Sequence, residues 1–175
     1  IHVASRTVAT HALSIFGDHS DIYAVRQTGF CMLASASPLE SYHMAIIAHL
    51  ASLKGTLPFI HFFDGFRTSH ELNVVDTLND EDLLHLVPKK ELEEFKNRAL
   101  NPLKPINYGM NQNEDVYFQT VEARSPLYDN MPDIVEDYME KLNELAHTNY
   151  HPFTYYGSID AENVIIAMGS VTDTI

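Results

Sequence analysis

The chain has 175 residues, 45% of them hydrophobic, enough to bury a real core and suited to one domain plus a remainder. Eleven Lys and Arg against 24 Asp and Glu leave a net charge of -13, a surface that repels a phosphate backbone and argues against nucleic acid as a partner. No apolar run approaches the ~20 residues of a membrane helix, no secretory or transit signal is visible, and the single cysteine, Cys31, rules out both an internal disulfide framework and an iron–sulfur cluster held by this segment alone.

Ile1-His2-Val3-Ala4-Ser5-Arg6 reads as a β-strand running straight into an arginine, with no methionine before it. The far end stops at Ile175, one turn into an expected helix, so both ends read as cuts in a longer polypeptide. Thr7 to Phe16 is mixed in character. Gly17-Asp18-His19-Ser20-Asp21 is a polar turn able to start a short helix through Gln27. Phe30 to Ser35 is a short apolar strand. Ser37-Pro38-Leu39-Glu40 has the form of a capping box with proline at the first helical position. Leu39, Tyr42, Ile46, Leu50 and Leu53 follow at helical spacing, and Gly55 is expected to close that helix. Pro58 to Phe63 is the next strand, ending at Asp64-Gly65. Short strands with a helical crossover imply an α/β fold, a parallel sheet with helices on both faces.

Beyond that point the pattern changes. Asp80 to Val87 and Pro88 to Leu100 read as two short helices. Asn101 to Asn130 carries Pro102, Pro105, Pro126, Gly109 and five asparagines, a composition that predicts turns and irregular chain. From Met131 a helix is expected with Ile134, Val135, Tyr138, Leu142 and Leu145 on one side and Asp133, Glu136, Asp137, Glu140 and Glu144 on the other. The pattern lapses between Tyr150 and Tyr156, which places a domain boundary near residue 151. Asn163 to Met168 then reads as a buried strand, with Gly169-Ser170 as its turn.

Several residues could carry chemistry, and each has a plainer reading. Arg6 lies at the carboxyl end of its strand, the edge where open α/β sheets bind ligands. A guanidinium there offers a planar fork to a carboxylate or phosphate, although an ion-paired surface arginine fits the position as well. Asp18, His19 and Asp21 suit an active-site loop with His19 as a proton-transfer group oriented by a carboxylate, or simply a helix cap. His61, Asp64, His70 and Glu71 include standard metal-ligand types, but their spacing matches no known helical metal motif. Asp64 to Ser69 reads better as a tight polar loop in which Arg67 pairs with a carboxylate, and no metal is assigned. Gly169-Ser170 could cradle an anion or act as an ordinary strand–turn–helix junction. Cys31, within an apolar strand, is expected to be inert. No dinucleotide fingerprint, P-loop or nucleophile elbow is present.

The strings His2-Val-Ala-Ser-Arg6, His11-Ala-Leu-Ser-Ile-Phe-Gly-Asp-His19, Arg26-Gln-Thr-Gly-Phe30, His61-Phe-Phe-Asp-Gly-Phe-Arg-Thr-Ser-His-Glu71, Arg98-Ala-Leu-Asn-Pro102, Asp115-Val-Tyr-Phe-Gln119 and Ala167-Met-Gly-Ser170 occur in one order. Together they resemble the pyruvate:ferredoxin (flavodoxin) oxidoreductases along essentially the whole chain. The resemblance implies a thiamine-diphosphate-binding fold, with residues 1–151 the later part of the pyrimidine-binding domain and 152–175 the start of a transketolase C-terminal-like domain. It implies oxidative decarboxylation of pyruvate to acetyl-CoA and carbon dioxide, with electrons passing through [4Fe-4S] clusters to ferredoxin or flavodoxin. Arg6 then corresponds to the arginine that holds the substrate carboxylate. The family's other site residues, including its activating glutamate, diphosphate–Mg2+ motif and cluster cysteines, do not map onto this chain, so no catalytic residue is assigned here. A homodimer in the cytoplasm, or in a hydrogenosome- or mitochondrion-like organelle, is also implied, without secretion. Two alternatives share these residues: the same module fused to an NADP-reducing flavin domain, and a non-catalytic binding or assembly domain that keeps the fold.

Overall fold

The computed structural model describes residues 1–106 and 111–175, so Asn107 and Gly109 of the turn-rich stretch lie outside the described residues. Three strands, β1 (His2–Ser5), β2 (Cys31–Ala34) and β3 (Phe59–Asp64), form a parallel sheet in the order β1-β3-β2. The central strand alternates its side chains between two apolar layers, as the period of two requires. Phe59 joins a core built with α2 (Pro38–Gly55) and α6 (Met131–Ala146). Ile60 and Phe62 meet Ile22 of α1 (Ser20–Val25) in the other layer. Helices therefore cover both faces of the parallel sheet, as expected.

The capping box at the start of α2 forms. Ser37 Oγ accepts from the Glu40 amide at 3.2 Å, while Glu40 Oε2 reaches back to the Ala36 amide at 2.7 Å. Two details of this helix depart from the sequence pattern. Its buried stripe is His43, Met44, Ile47, Ala48, Leu50 and Ala51, and of the predicted face only Leu50 is buried. The helix is wedged between the sheet and α6, so Met44, Ile47 and Leu50 are enclosed together with small and polar residues, and Leu39, Tyr42, Ile46 and Leu53 of the predicted face sit partly exposed at its flanks. Gly55 remains helical, and the left-handed residue that ends the helix is Thr56, at φ 56°. The start of α6 explains the glycine: a Cβ on Gly55 would lie 2.3 Å from the Met131 methyl carbon.

Helices α3 (Asp80–Leu86) and α4 (Lys89–Asn97) occupy the two predicted segments. Asn79 caps the first, accepting from the Asp82 amide at 2.9 Å. The expectation of irregular chain up to Asn130 is corrected by α5 (Glu114–Asp129). Most breakers of that stretch precede residue 114, and Pro126 alone falls inside the helix, near its end. Glu114 and Asp115 in the first turn complement the helix dipole. Tyr128 ties α5 to the turn before β2 by donating to the Gly29 carbonyl at 2.8 Å. In α6 the predicted apolar side is buried at Val135, Tyr138 and Leu142, joined by Met131 and Met139, and the predicted acidic side is exposed.

Past α6 the chain folds back once. Asn143 holds the Tyr150 amide and carbonyl at 2.7 and 2.9 Å, and Tyr150 meets His43 on α2 at 2.9 Å. The predicted strand from Asn163 to Met168 is a second correction. No described strand pairs with it, and Val164, Ile165 and Ile166 are exposed. A strand exists by virtue of its neighbour's hydrogen bonds, so an apolar run alone does not make one. The helix expected after Gly169 is a single 3-10 turn, Ser170–Asp173. Among the described residues no helix is long and apolar enough to cross a membrane.

Candidate functional site

The carboxyl ends of β1 and β3 lie side by side, with Ser5 opposite Asp64 in register. Arg6 and Gly65 therefore leave the sheet together. The Gly65 amide donates to the Ser5 carbonyl at 2.7 Å, and Arg6 Nη2 donates to the Gly65 carbonyl at 3.2 Å. A Cβ on Gly65 would lie 2.4 Å from Arg6 Cγ and 2.5 Å from the Ser5 oxygen, so only glycine permits this approach. Arg6 makes no ion pair with any described residue, and its Nε is buried without a hydrogen-bond partner. Among the described residues, the Gly65 carbonyl is the one partner of the guanidinium. An open hollow lined by residues 7–16 begins immediately beside it.

The polar turn of residues 17–21 braces this edge. Asp21 accepts from the Ser5 hydroxyl at 2.6 Å and from the Arg6 amide at 3.0 Å. Asp18 accepts from the Thr7 hydroxyl at 3.2 Å and from the Ser20 amide at 2.8 Å. His19 does meet a carboxylate, but one from β3 rather than from its own turn: its Nε2 lies 2.6 Å from Asp64 Oδ1. Asp64 Oδ2 in turn accepts from the Ser170 amide at 2.5 Å. Burial alone would raise the Asp64 pKa, but hydrogen bonds from Ser170 and His19 outweigh it and hold the carboxyl below its usual range. Asp18 thus bonds the first amide of α1, while His19, at the N-cap position, makes no side-chain cap and reaches across the edge instead.

The remaining sequence candidates are dispersed. His61 points to the opposite face of β3 from this edge cluster, toward α2, and His70 sits in an exposed 3-10 turn against Ser69 and Phe66. Among the described residues no three His, Cys, Asp or Glu side chains come together to hold a metal ion. Arg67 is exposed, and the carboxylate pair expected for it does not form among the described residues, because its own loop leaves its side chain in solvent. Partial burial raises the Cys31 thiol pKa, which disfavours the reactive thiolate.

Sequence reasoning missed a chain of side chains on the α2 face of the sheet. Ser41 meets Ser35 at 2.9 Å, Ser35 meets His61 Nε2 at 3.0 Å, His61 Nδ1 meets His2 Nδ1 at 3.0 Å, and His2 Nε2 meets His49 at 3.1 Å. Burial first, then His2 and the other nearby positive groups, depress the His61 pKa to about 4, so its ring is neutral at pH 7. The signal is readable only once β1 and β3 are known to be neighbours, because His2 and His61 are then register partners.

A parallel α/β sheet covered by helices on both faces places the chain among the open α/β folds, a class in which ligands bind at the strand ends. The family whose model is described as "Pyruvate flavodoxin/ferredoxin oxidoreductase, thiamine diP-bdg" matches residues 1–140, and the chain belongs to that family. A pyruvate:ferredoxin oxidoreductase of Moorella thermoacetica is 52% identical over 174 residues, covering 99% of this chain and 15% of the relative. A pyruvate-flavodoxin oxidoreductase of Klebsiella pneumoniae is 49% identical over 174 residues with the same coverage. The mitochondrial pyruvate dehydrogenase [NADP(+)] of Euglena gracilis is 46% identical over 175 residues, covering all of this chain and 10% of the relative. The chain thus spans about 15% of the length of the first of these curated relatives.

Proposed function

We propose that this chain is the part of a pyruvate oxidoreductase that presents Arg6 to the carboxylate of pyruvate. The observation that carries the reading is the guanidinium at the sheet's carboxyl edge, held by the Gly65 carbonyl and, among the described residues, paired with no carboxylate. A fixed, charged fork there binds and orients a 2-oxoacid, while the hydrogen bonds through Asp21, Ser5 and Gly65 keep it in place.

The residues at this edge suit a single carboxylate at Arg6. They do not suit the diphosphate of thiamine diphosphate, because Asp18, Asp21 and Asp64 stand around the same edge and repel it. The diphosphate and its Mg2+ therefore belong to sequence beyond these 175 residues in our reading, as do the [4Fe-4S] clusters, for which one cysteine is insufficient. When bound, thiamine diphosphate supplies the carbanion chemistry of decarboxylation. Residues 1–151 form the later part of the pyrimidine-binding domain, and 152–175 open the transketolase C-terminal-like domain. Coenzyme A takes the acetyl group, ferredoxin or flavodoxin takes the electrons, and the whole protein is a homodimer working in the cytoplasm or in a hydrogenosome- or mitochondrion-like organelle.

A second reading, the NADP-reducing fusion, draws support from the 46% identity to the Euglena gracilis protein. One experiment addresses both. The full-length protein is assayed for pyruvate- and coenzyme A-dependent reduction of ferredoxin, flavodoxin and NADP+ in parallel. Reduction of ferredoxin or flavodoxin is the expected result. NADP+ reduction alone selects the fusion, and no pyruvate oxidation with any acceptor overturns the proposal in favour of a non-catalytic domain.

A further inference from the structure

The turn at Gly169-Ser170 is 106 residues from Asp64 in sequence, yet the two are in direct contact. Both oxygens of the Asp64 carboxylate are committed, Oδ1 to His19 at 2.6 Å and Oδ2 to the Ser170 amide at 2.5 Å. Gly169 has φ 77° and ψ -164°, a conformation open essentially to glycine alone. A Cβ there would also lie 3.0 Å from Asp64 Oδ2 and 3.0 Å from His19 Cε1. The residue before it, Met168, packs against the apolar layer of Ile22, Ile60 and Phe62. Backbone conformation, a carboxylate bond and an apolar anchor thus converge on three consecutive residues. They do so next to Arg6, because Asp64 is followed by the glycine that carries the arginine.

We propose that Asp64, oriented by His19, is a positioning residue that latches the Gly169-Ser170 turn across the carboxyl edge of the sheet, where the turn forms one wall of the anion site at Arg6. The proposal rests on the reading of Arg6 as the carboxylate-binding residue. It gives Asp64 and His19 a role that needs neither metal binding nor proton transfer. It also makes the segment after residue 151 part of the site, although that segment pairs with no strand of the sheet.

The test uses the full-length protein and two variants, Asp64→Asn and Gly169→Ala, with hydrogen exchange of the 166–175 backbone and pyruvate kinetics as readouts. Asp64→Asn weakens the charge-assisted bond, and Gly169→Ala strains the turn through its backbone conformation while leaving the Asp64 carboxylate charged, so one remains informative if the other fails to fold. Both are expected to speed exchange at Ser170 and to raise the pyruvate KM about five-fold, as for loss of one ordinary hydrogen bond, with little change in kcat. Unaltered exchange in the folded variants overturns the latch. Faster exchange with an unaltered pyruvate KM overturns the wall. Arg6→Ala serves as the control that separates the two ideas: it should raise KM without speeding exchange at Ser170, and an unaltered KM there refutes the carboxylate reading while leaving the latch to be judged by exchange.

Discussion

His61 is 1% exposed, and its ring is held neutral between Ser35 and His2. In the unfolded chain its pKa is the ordinary 6.5, and in the fold it falls to about 4. The unfolded state therefore binds a proton first as pH falls, so the contribution of neutral His61 is complete above pH 6.5 and is lost progressively down to about pH 4. At the usual conversion of pKa into free energy, the loss amounts to about 3 kcal/mol. His2 and His43 are depressed by burial as well and act in the same direction, which is why a difference measurement is needed. Urea denaturation of the chain from pH 7 to pH 4, beside a His61→Gln variant that cannot titrate there, isolates the contribution of His61. The native chain should lose about 3 kcal/mol more than the variant over this range. Equal pH slopes for the two, or an imidazole nitrogen signal showing His61 protonated at pH 6, would refute the reasoning.

Leu142 is fully buried between α6 and α2, so Leu142→Ala should cost roughly 2–5 kcal/mol in the same denaturation assay, and a cost below about 1 kcal/mol would mean that this layer is not the core. The 175-residue chain alone should bind thiamine diphosphate with Mg2+ more weakly than about 10 μM, near -7 kcal/mol, because its carboxyl edge is acidic. Calorimetry checks this, and tighter binding would show that the chain carries the diphosphate half of the site.

The sheet was legible because short apolar strands and a capped crossover helix leave little choice of topology. Its order, with β3 in the middle, was not, since strands of this length carry no mark of which neighbour they take. Helix α5 was hidden by averaging: three prolines over thirty residues suggest turns, yet two of them precede the helix. Asn163 to Met168 misled in the opposite sense, because an apolar run states a preference for burial without supplying a neighbour. The place of Arg6 at the carboxyl edge was legible, because it directly follows an apolar strand. The glycine that holds it and the partner of His19 were not, because both arise from β1 and β3 ending side by side, which local sequence does not encode.

Arg6 is the residue to which pyruvate binding is assigned, and the most direct measurement is the steady-state kinetics of pyruvate oxidation by the full-length protein with Arg6→Ala and Arg6→Lys. Loss of a charged hydrogen-bond partner, ~1.5–3 kcal/mol, predicts a fall in kcat/KM of about ten- to a hundredfold for Arg6→Ala, with a raised pyruvate KM. Arg6→Lys should fall between it and the native protein, since a point charge replaces the planar fork. Unchanged pyruvate kinetics in Arg6→Ala would contradict the account.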